Sequence, residues 1–289
     1  MINSIFKDAN YQQEFDKYGY VKIPLLSKSD IEKLSSLFHL YHPTVEKNSF
    51  SASSFLQDKN LKLKIRDELF RIYQPYFENI FCDYTYFGSS FLYKTKGKDS
   101  SVSPHQDWTI VDEKKYVALN IWTPLTNTNS KNGTLYVVPK SQAQEMFVLR
   151  APTIPFYFLQ YFDAVLKCGI PMNANAGEAV ILNQSLIHYS TPNLSDEIRI
   201  AITSGVKSKG APMLFHHKNK NDEIIRYEMP EDFLLDFDDF LSDIYQPPSK
   251  GINGKVILYT TPSISKSQFL QKFGKERFSL WNKFREFWH

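Results

Sequence analysis

The chain is short of cysteine, of long apolar runs and of blocks of like charge, and each shortage closes off a class of protein. Two cysteines, Cys82 and Cys168, among 289 residues can build neither a disulfide framework nor a zinc-type pair, so a reducing compartment is the expectation. The 34 basic and 31 acidic residues leave a net charge of only +3, and no five or six like charges fall together. That argues against a nucleic-acid partner. Lys207 and Lys209, with His216, His217, Lys218 and Lys220 after them, read as a solvated loop. The start of the chain, Met1 to Asp8, lacks the apolar core of a signal peptide. The most apolar stretch, 151–171, is interrupted by Pro155, Gln160, Asp163 and Lys167, which rules against a membrane span. A soluble, cytoplasmic protein without a membrane partner is expected, and its oligomeric state is left open.

No Pro/Gly/Ser-rich linker divides the chain. Its hydrophobic content of 42% is enough for a sizeable core and excludes global disorder. The 23 Phe and 17 Tyr suit a β-rich fold around a wide, lined cavity.

The first third reads as helical. Tyr11, Phe15 and Tyr18 share a helical face stopped by Gly19, and residues 21–24 form a short extended piece. Ser27 and Asp30 resemble a capping box ahead of a helix with Ile31, Leu34, Leu37 and Phe38 on one face. A third helix carries Leu61, Ile65, Leu69, Ile72 and Tyr76. From Tyr84 the period changes to that of strands. Candidates cover 84–94 (broken at Gly88), 116–123, 134–138, 179–182, 198–206, 213–216 and 224–227, with turns at Asn132-Gly133, Asn175-Ala176-Gly177 and Pro192-Asn193. Short strands at this density predict a mainly β fold with flanking helices, a double-sheet jelly roll. Near the end, Phe278, Trp281, Phe284 and Trp288 recur at helical spacing and read as a core-facing stripe. The whole, 1–289, reads as one domain: a helical part to 82, a jelly-roll core from about 83 to 230 with an insertion at 144–175, and a helical remainder from 231.

The chemistry gathers around Pro104-His105-Gln106-Asp107. In an extended chain His105 and Asp107 point the same way, although such a pair alone is a weak signal. His188, soon after the strand that follows Gly177, adds a second imidazole. Two His and one carboxylate make the facial triad of non-haem Fe(II) oxygenases, which leaves coordination positions open for a chelating keto acid and O2. Eleven residues on, Arg199 stands among apolar residues in an alternating strand. A buried Arg needs an anionic partner; that is either the distal carboxylate of 2-oxoglutarate, held as a bidentate fork, or a protein carboxylate such as Asp196 or Glu197.

With these residues in place, the chain resembles the phytanoyl-CoA dioxygenase family of Fe(II)/2-oxoglutarate oxygenases. The resemblance begins at Tyr18-Gly19-Tyr20-Val21-Lys22-Ile23-Pro24 and includes His105-Gln106-Asp107 and Asn120-Ile121-Trp122-Thr123-Pro124-Leu125. It continues through the stretch from Asn132 to Gln142, similar to the family's NG-x-L-x-V-x-P-G-S-H, and ends with the His188-to-Arg199 block. Lys140 replaces a family Gly and Gln142 a family His, from which only a local turn difference is expected. The resemblance implies a cupin-like double-stranded β-helix core. It implies His105, Asp107 and His188 as iron ligands and Arg199 as the 2-oxoglutarate anchor, with Ser190 helping to bind the same carboxylate and Tyr93 and Trp122 lining the cosubstrate pocket. It also implies Fe(II), 2-oxoglutarate and O2 as cofactor and cosubstrates. The reaction implied is hydroxylation of an unactivated C–H bond of a small molecule, an amino acid or secondary metabolite, with release of succinate and CO2. Asp107 argues against halogenation, since related halogenases lack the carboxylate.

Two readings compete: a non-catalytic cupin-like binding homologue, and a zinc hydrolase or isomerase using the same ligands. The insertion at 144–175, with Arg150, Phe156, Tyr157, Phe158, Tyr161 and Phe162, is either a lid over the metal or a packing or oligomer element. His39 and His42 are expected at a helix C-terminus, where a cation is favoured. Adjacent His216 and His217 face opposite sides of a strand and cannot chelate one ion together.

Overall fold

The computed structural model describes residues 4–142, 148–236, 244 and 246–274. Helix α1 (Ala9–Tyr18) begins on the Asp8 carboxylate, which accepts from the Asn10 and Tyr11 amides, and stops at Gly19, whose φ is 81°. No other residue serves there: besides the left-handed backbone, a Cβ would stand 2.4 Å from Gln142 Oε1 and 2.7 Å from Leu186 Cδ1. Strand β1 (Tyr20–Pro24) follows. Helix α2 (Lys28–Tyr41) is capped by Ser27, which accepts from the Asp30 amide while its own hydroxyl donates to the Asp30 carboxylate. Strand β2 (Phe50–Ala52) precedes helix α3 (Lys59–Ile80), which begins on the Asp58 carboxylate. Each helix starts where a short acceptor side chain satisfies amides that the helix itself cannot.

The strands are β3 (Tyr84–Lys94), β4 (Val102–His105), β5 (Ala118–Pro124), β6 (Leu135–Val137), β7 (Ile170–Pro171), β8 (Glu178–Asn183), β9 (His188–Ser190) and β10 (Arg199–Ser208), with helix α4 (Phe162–Cys168) between β6 and β7. They form two sheets, one in the order β1-β8-β5-β10-β3-β2 and one in the order β4-β9-β6-β7. Every pairing is antiparallel. The sheets face each other across an apolar layer in which Trp122, Val180, Leu182 and Ala201 of one meet Leu135, Val137 and Ile170 of the other. This is the expected jelly roll. Alternation along β10 decides which side chains go where: Ile200 and Ile202 turn outward to the helices, Arg199, Ala201 and Thr203 inward. On the outer face Leu34, Phe38, Ile65, Leu69, Tyr73 and Phe77 cover the large sheet and form the main core.

Three further strands, β11 (Met213–Lys218), β12 (Ile224–Met229) and β13 (Ile252–Ile257), make a small separate sheet. Strand β13 and helix α5 (Lys266–Phe273) correct the wholly helical reading of the C-terminal part. Strand β13 escapes sequence reading because it is exposed almost throughout and carries Asn253 and Gly254, so it has no apolar alternation. The Phe278, Trp281, Phe284 and Trp288 stripe lies outside the described residues.

Two charge-based readings are overturned for one reason, burial. Lys207, His216 and His217 are not in a solvated loop; all three are buried in strands, with Lys207 paired to Glu231 at 3.0 Å. His42 ends α2 as expected but is buried, stacked on Phe38 and bonded to Ser53 Oγ at 2.8 Å, and burial pushes its pKa down, so the helix end gains no cation there. His39 lies in the last turn of the same helix. At the turn, Lys140 takes a left-handed backbone of the kind glycine favours, at φ 67°.

Lys140→Gly is expected to stabilise the protein by about 1 kcal/mol, the cost of a left-handed non-glycine residue, read as a higher urea midpoint. Burial drives the His216 pKa from 6.5 down to about 4, while its Nδ1–H donates to the Thr109 carbonyl. Between those values the unfolded chain carries a proton that the folded chain rejects, so stability present above the upper value is lost as pH falls toward the lower one. Urea unfolding at pH 7 and pH 5 is expected to show that loss, and His216→Gln to reduce it.

Candidate metal and cosubstrate site

His105 and His188 are register partners on the adjacent strands β4 and β9. Their rings lie 4.2 Å apart between centroids. His105 Nδ1 is 2.8 Å from the Ser103 carbonyl and His188 Nδ1 is 2.9 Å from the Leu186 carbonyl. A carbonyl only accepts, so each Nδ1 carries the proton and each Nε2 presents a lone pair. Desolvation first, and then the neighbouring His188, holds the His105 pKa well below the usual imidazole range. Both effects favour the neutral, ligating form.

Asp107 joins them just beyond β4. Its amide donates to the Gln184 carbonyl at 3.0 Å, and Gln106 beside it donates from Nε2 to the Ser185 carbonyl. Asn120 Nδ2 donates to Asp107 Oδ2 at 3.0 Å, leaving Oδ1 3.8 Å from His188 Nε2. Thr203 Oγ1 in turn donates to Asn120 Oδ1 at 2.5 Å, which fixes the amide's orientation. One ligand atom from each of His105, Asp107 and His188 lies within 4.8 Å of the others, and they are the one such His/Cys/Asp/Glu group among the described residues. The donor set fits a divalent transition metal of the non-haem iron kind: two neutral imidazole nitrogens and a carboxylate oxygen, each with its outer atom already committed.

Arg199 opens β10 and is buried, with Nε and Nη1 lacking any hydrogen-bond partner. The protein carboxylates that could have neutralised it do not: Asp196 binds exposed Lys96 at 2.7 Å, and Glu197 is exposed while Arg199 is buried. The guanidinium carbon lies 5.9 Å from the centre of the Trp122 ring, and burial pushes the group down to about 9. Its cross-strand partner is Lys94, also buried, whose ammonium donates to the Thr191 carbonyl at 2.7 Å. Burial and then the Arg199 charge depress Lys94 to about 6. A buried guanidinium with unused N–H donors, beside a second buried basic side chain, is costly unless an anion joins it. The geometry fits the distal carboxylate of a dicarboxylic keto acid. Ser190 sits two residues after His188 in β9 and shares its face. Strand β5 ties the two halves together, with Asn120 at the metal end and Trp122, two residues on, beside Arg199.

Tyr93 does not join this group. Its ring packs 5.5 Å from Phe38 and 5.3 Å from His42, on the helix-covered face of β3. Alternation explains the miss: Lys94 and Leu92 face inward, so Tyr93 faces out. Lys94 and Asn120 are the inward residues that motif reading passed over, and counting by twos from Arg199's partner and from Trp122 finds both.

A cavity of about 400 Å³ opens on His105 and Asp107 and is lined by Lys62, Trp108, Ile110, Phe156 and Leu234 among others. Arg199, Trp122, Ser190 and His188 are not part of that wall. The described part of the 144–175 insertion is packed rather than loose. Arg150 is buried in it, held bidentate by Glu113, and donates from Nε to the Asp107 carbonyl at 2.8 Å. Phe158, Tyr161 and Val165 pack with Phe269 and Phe273 of α5. Only Phe156 of this insertion is part of the cavity wall among the described residues.

The model of the phytanoyl-CoA dioxygenase family, PhyH, matches residues 11–201. Phytanoyl-CoA dioxygenase 1 of Oryza sativa subsp. japonica is 28% identical over 120 residues, 40% of this chain and 42% of its own length. Phytanoyl-CoA dioxygenase domain-containing protein 1 of Danio rerio is 24% identical over 196 residues, 65% of this chain and 60% of its own. The chain thus spans about half the length of the curated relatives it matches. Among solved structures, the non-heme alpha ketoglutarate dependent carbocyclase SnoK from nogalamycin biosynthesis superposes with a TM-score of 0.56 at 15% identity, over 71% of this chain and 86% of that one. At that identity it shares the fold.

Because Asn120 orients Asp107 without contacting the metal position, Asn120→Ala is expected to weaken Fe(II) or Mn(II) binding by about 10–100-fold while leaving the circular dichroism spectrum unchanged. Isothermal titration with the metal checks it.

Proposed function

The chain belongs to the phytanoyl-CoA dioxygenase family, and from that premise we propose that it is an Fe(II)- and 2-oxoglutarate-dependent oxygenase that hydroxylates an unactivated C–H bond of a small organic molecule, an amino acid or secondary metabolite. The observation that carries the reading is Arg199: a buried guanidinium with two unpartnered N–H groups, on the strand after the one that bears His188. The triad alone also suits zinc hydrolysis. A water-activating zinc site has no use for a second, buried cation pocket, whereas a keto diacid needs one.

His105 and His188 hold the metal through Nε2, and Asp107 through the oxygen that Asn120 leaves free. The Arg199 fork takes the distal carboxylate, with Trp122 flanking the guanidinium and Ser190 offering a hydroxyl. Bound there, iron and 2-oxoglutarate supply the oxidising power: O2 delivers one oxygen atom to the substrate and one to the keto acid, which leaves as succinate and CO2. The protein's task is position and exclusion. Trp108, Ile110 and Phe156 make the metal-side cavity largely apolar, which keeps water from competing with the substrate. A reducing, cytoplasmic setting suits ferrous iron and Cys82 and Cys168, which form no disulfide.

Anaerobic addition of Fe(II) and 2-oxoglutarate is expected to give a weak visible charge-transfer band, and O2 to give succinate. Arg199→Ala is expected to weaken 2-oxoglutarate binding by about 2–5 kcal/mol, the usual cost of truncating one partner of a buried charge pair, while metal affinity holds. A folded wild type with neither band nor succinate would sink the reading.

A further inference from the structure

On β3 and β10, Gly88 and Gly205 face each other across the ladder, and both line the metal-side cavity. Glycine inside a strand costs backbone entropy and packs against nothing, so its presence marks a bend or a close approach. At Gly205 the reason is internal. A Cβ there would stand 2.2 Å from the Phe87 ring, which covers the position, and the ladder slips beside it so that Phe87 has no partner in the register. Gly88 has no such reason. A Cβ on it would meet nothing within 4 Å, and its backbone is outside the left-handed region. The fold accepts a side chain at 88, yet the sequence has none.

The same row continues to the metal. Gly205 pairs with Asn120 on the next strand, and Asn120 holds Asp107. Neighbouring strands lie about 4.8 Å apart, so Gly88 is about 10 Å from Asn120 along the row. Trp108, Phe156 and Leu234, from outside the sheet, supply apolar walls.

We propose that the substrate is a compact, ring-bearing molecule whose apolar body lies on the bare backbone of Gly88 beside the Phe87 ring, with the carbon to be oxidised reaching toward Asp107. Gly88 is then a specificity-determining residue. A methyl group at that position removes part of the slot, and a larger side chain fills it. The inference rests on the oxygenase reading, because that reading makes this cavity the substrate's.

The test uses the full chain loaded with Zn(II) and 2-oxoglutarate, which cannot turn over, and indole as probe, followed by saturation-transfer NMR. Indole is expected to bind wild type saturably. Gly88→Leu is expected to weaken it by about tenfold, or 1.4 kcal/mol, and Gly88→Ala by less. Both variants are expected to keep the wild-type melting temperature and 2-oxoglutarate affinity. Equal indole binding by wild type and Gly88→Leu, or no binding to a wild type that does bind 2-oxoglutarate, overturns the inference. Should Gly88→Leu fail to fold, Gly88→Ala decides: unchanged indole affinity overturns, a measurable loss supports. A zinc-loaded wild type that fails to bind 2-oxoglutarate at all overturns the oxygenase reading, and this inference with it.

Discussion

The antiparallel pairing of β4 with β9 is the constraint on which the site depends. It sets His105 opposite His188, and both imidazoles use the same local device. Each donates Nδ1–H to the carbonyl two residues upstream in its own chain, Ser103 or Leu186. Both rings are thereby fixed in one tautomer before any metal arrives. Asp107 is fixed from three sides, by the Gln184 carbonyl at its amide, Asn120 at its carboxylate and Arg150 at its own carbonyl. An ion entering this group meets three ligands with little left to reorganise.

The site carries a structural cost. Arg199 is a buried cation beside the buried amine of Lys94 on the adjacent strand, which destabilises the free protein. The stabilising weight lies on the other face of the same sheet, where three helices bury an aromatic-rich core. The division is orderly: β3 and β10 send alternate residues to stability and to chemistry. It also explains why Tyr93 and Lys94, neighbours in sequence, have unrelated roles.

Much of the fold was legible. The helices around Phe15, Phe38 and Leu69 announce themselves by spacing and caps, and the strands by alternation. The triad and Arg199 were legible because motif residues and strand periodicity pointed to the same side chains. What stayed hidden has physical causes. The exposed edge strand β13 shows no apolar pattern. Lys207, His216 and His217 look like a polar loop because local charge carries no information about what folds over it. Arg150 left lid and packing element open because its partners, Glu113 and the Asp107 carbonyl, are remote in sequence. Gly88 could be read only as a break in a strand, since the open space above it exists only after β10 and the cavity walls are assembled.

The central claim is that one ion is held by these three side chains with an organic dianion between it and Arg199. An anaerobic crystal structure of the Fe(II)- and 2-oxoglutarate-loaded protein tests it most directly. The account predicts His105 Nε2, His188 Nε2 and an Asp107 oxygen on a single ion, both Nδ1–H groups still donating to Ser103 and Leu186, and the far carboxylate forked on Arg199. An ion bound elsewhere, either histidine ligating through Nδ1, or a cosubstrate turned away from Arg199 would contradict it.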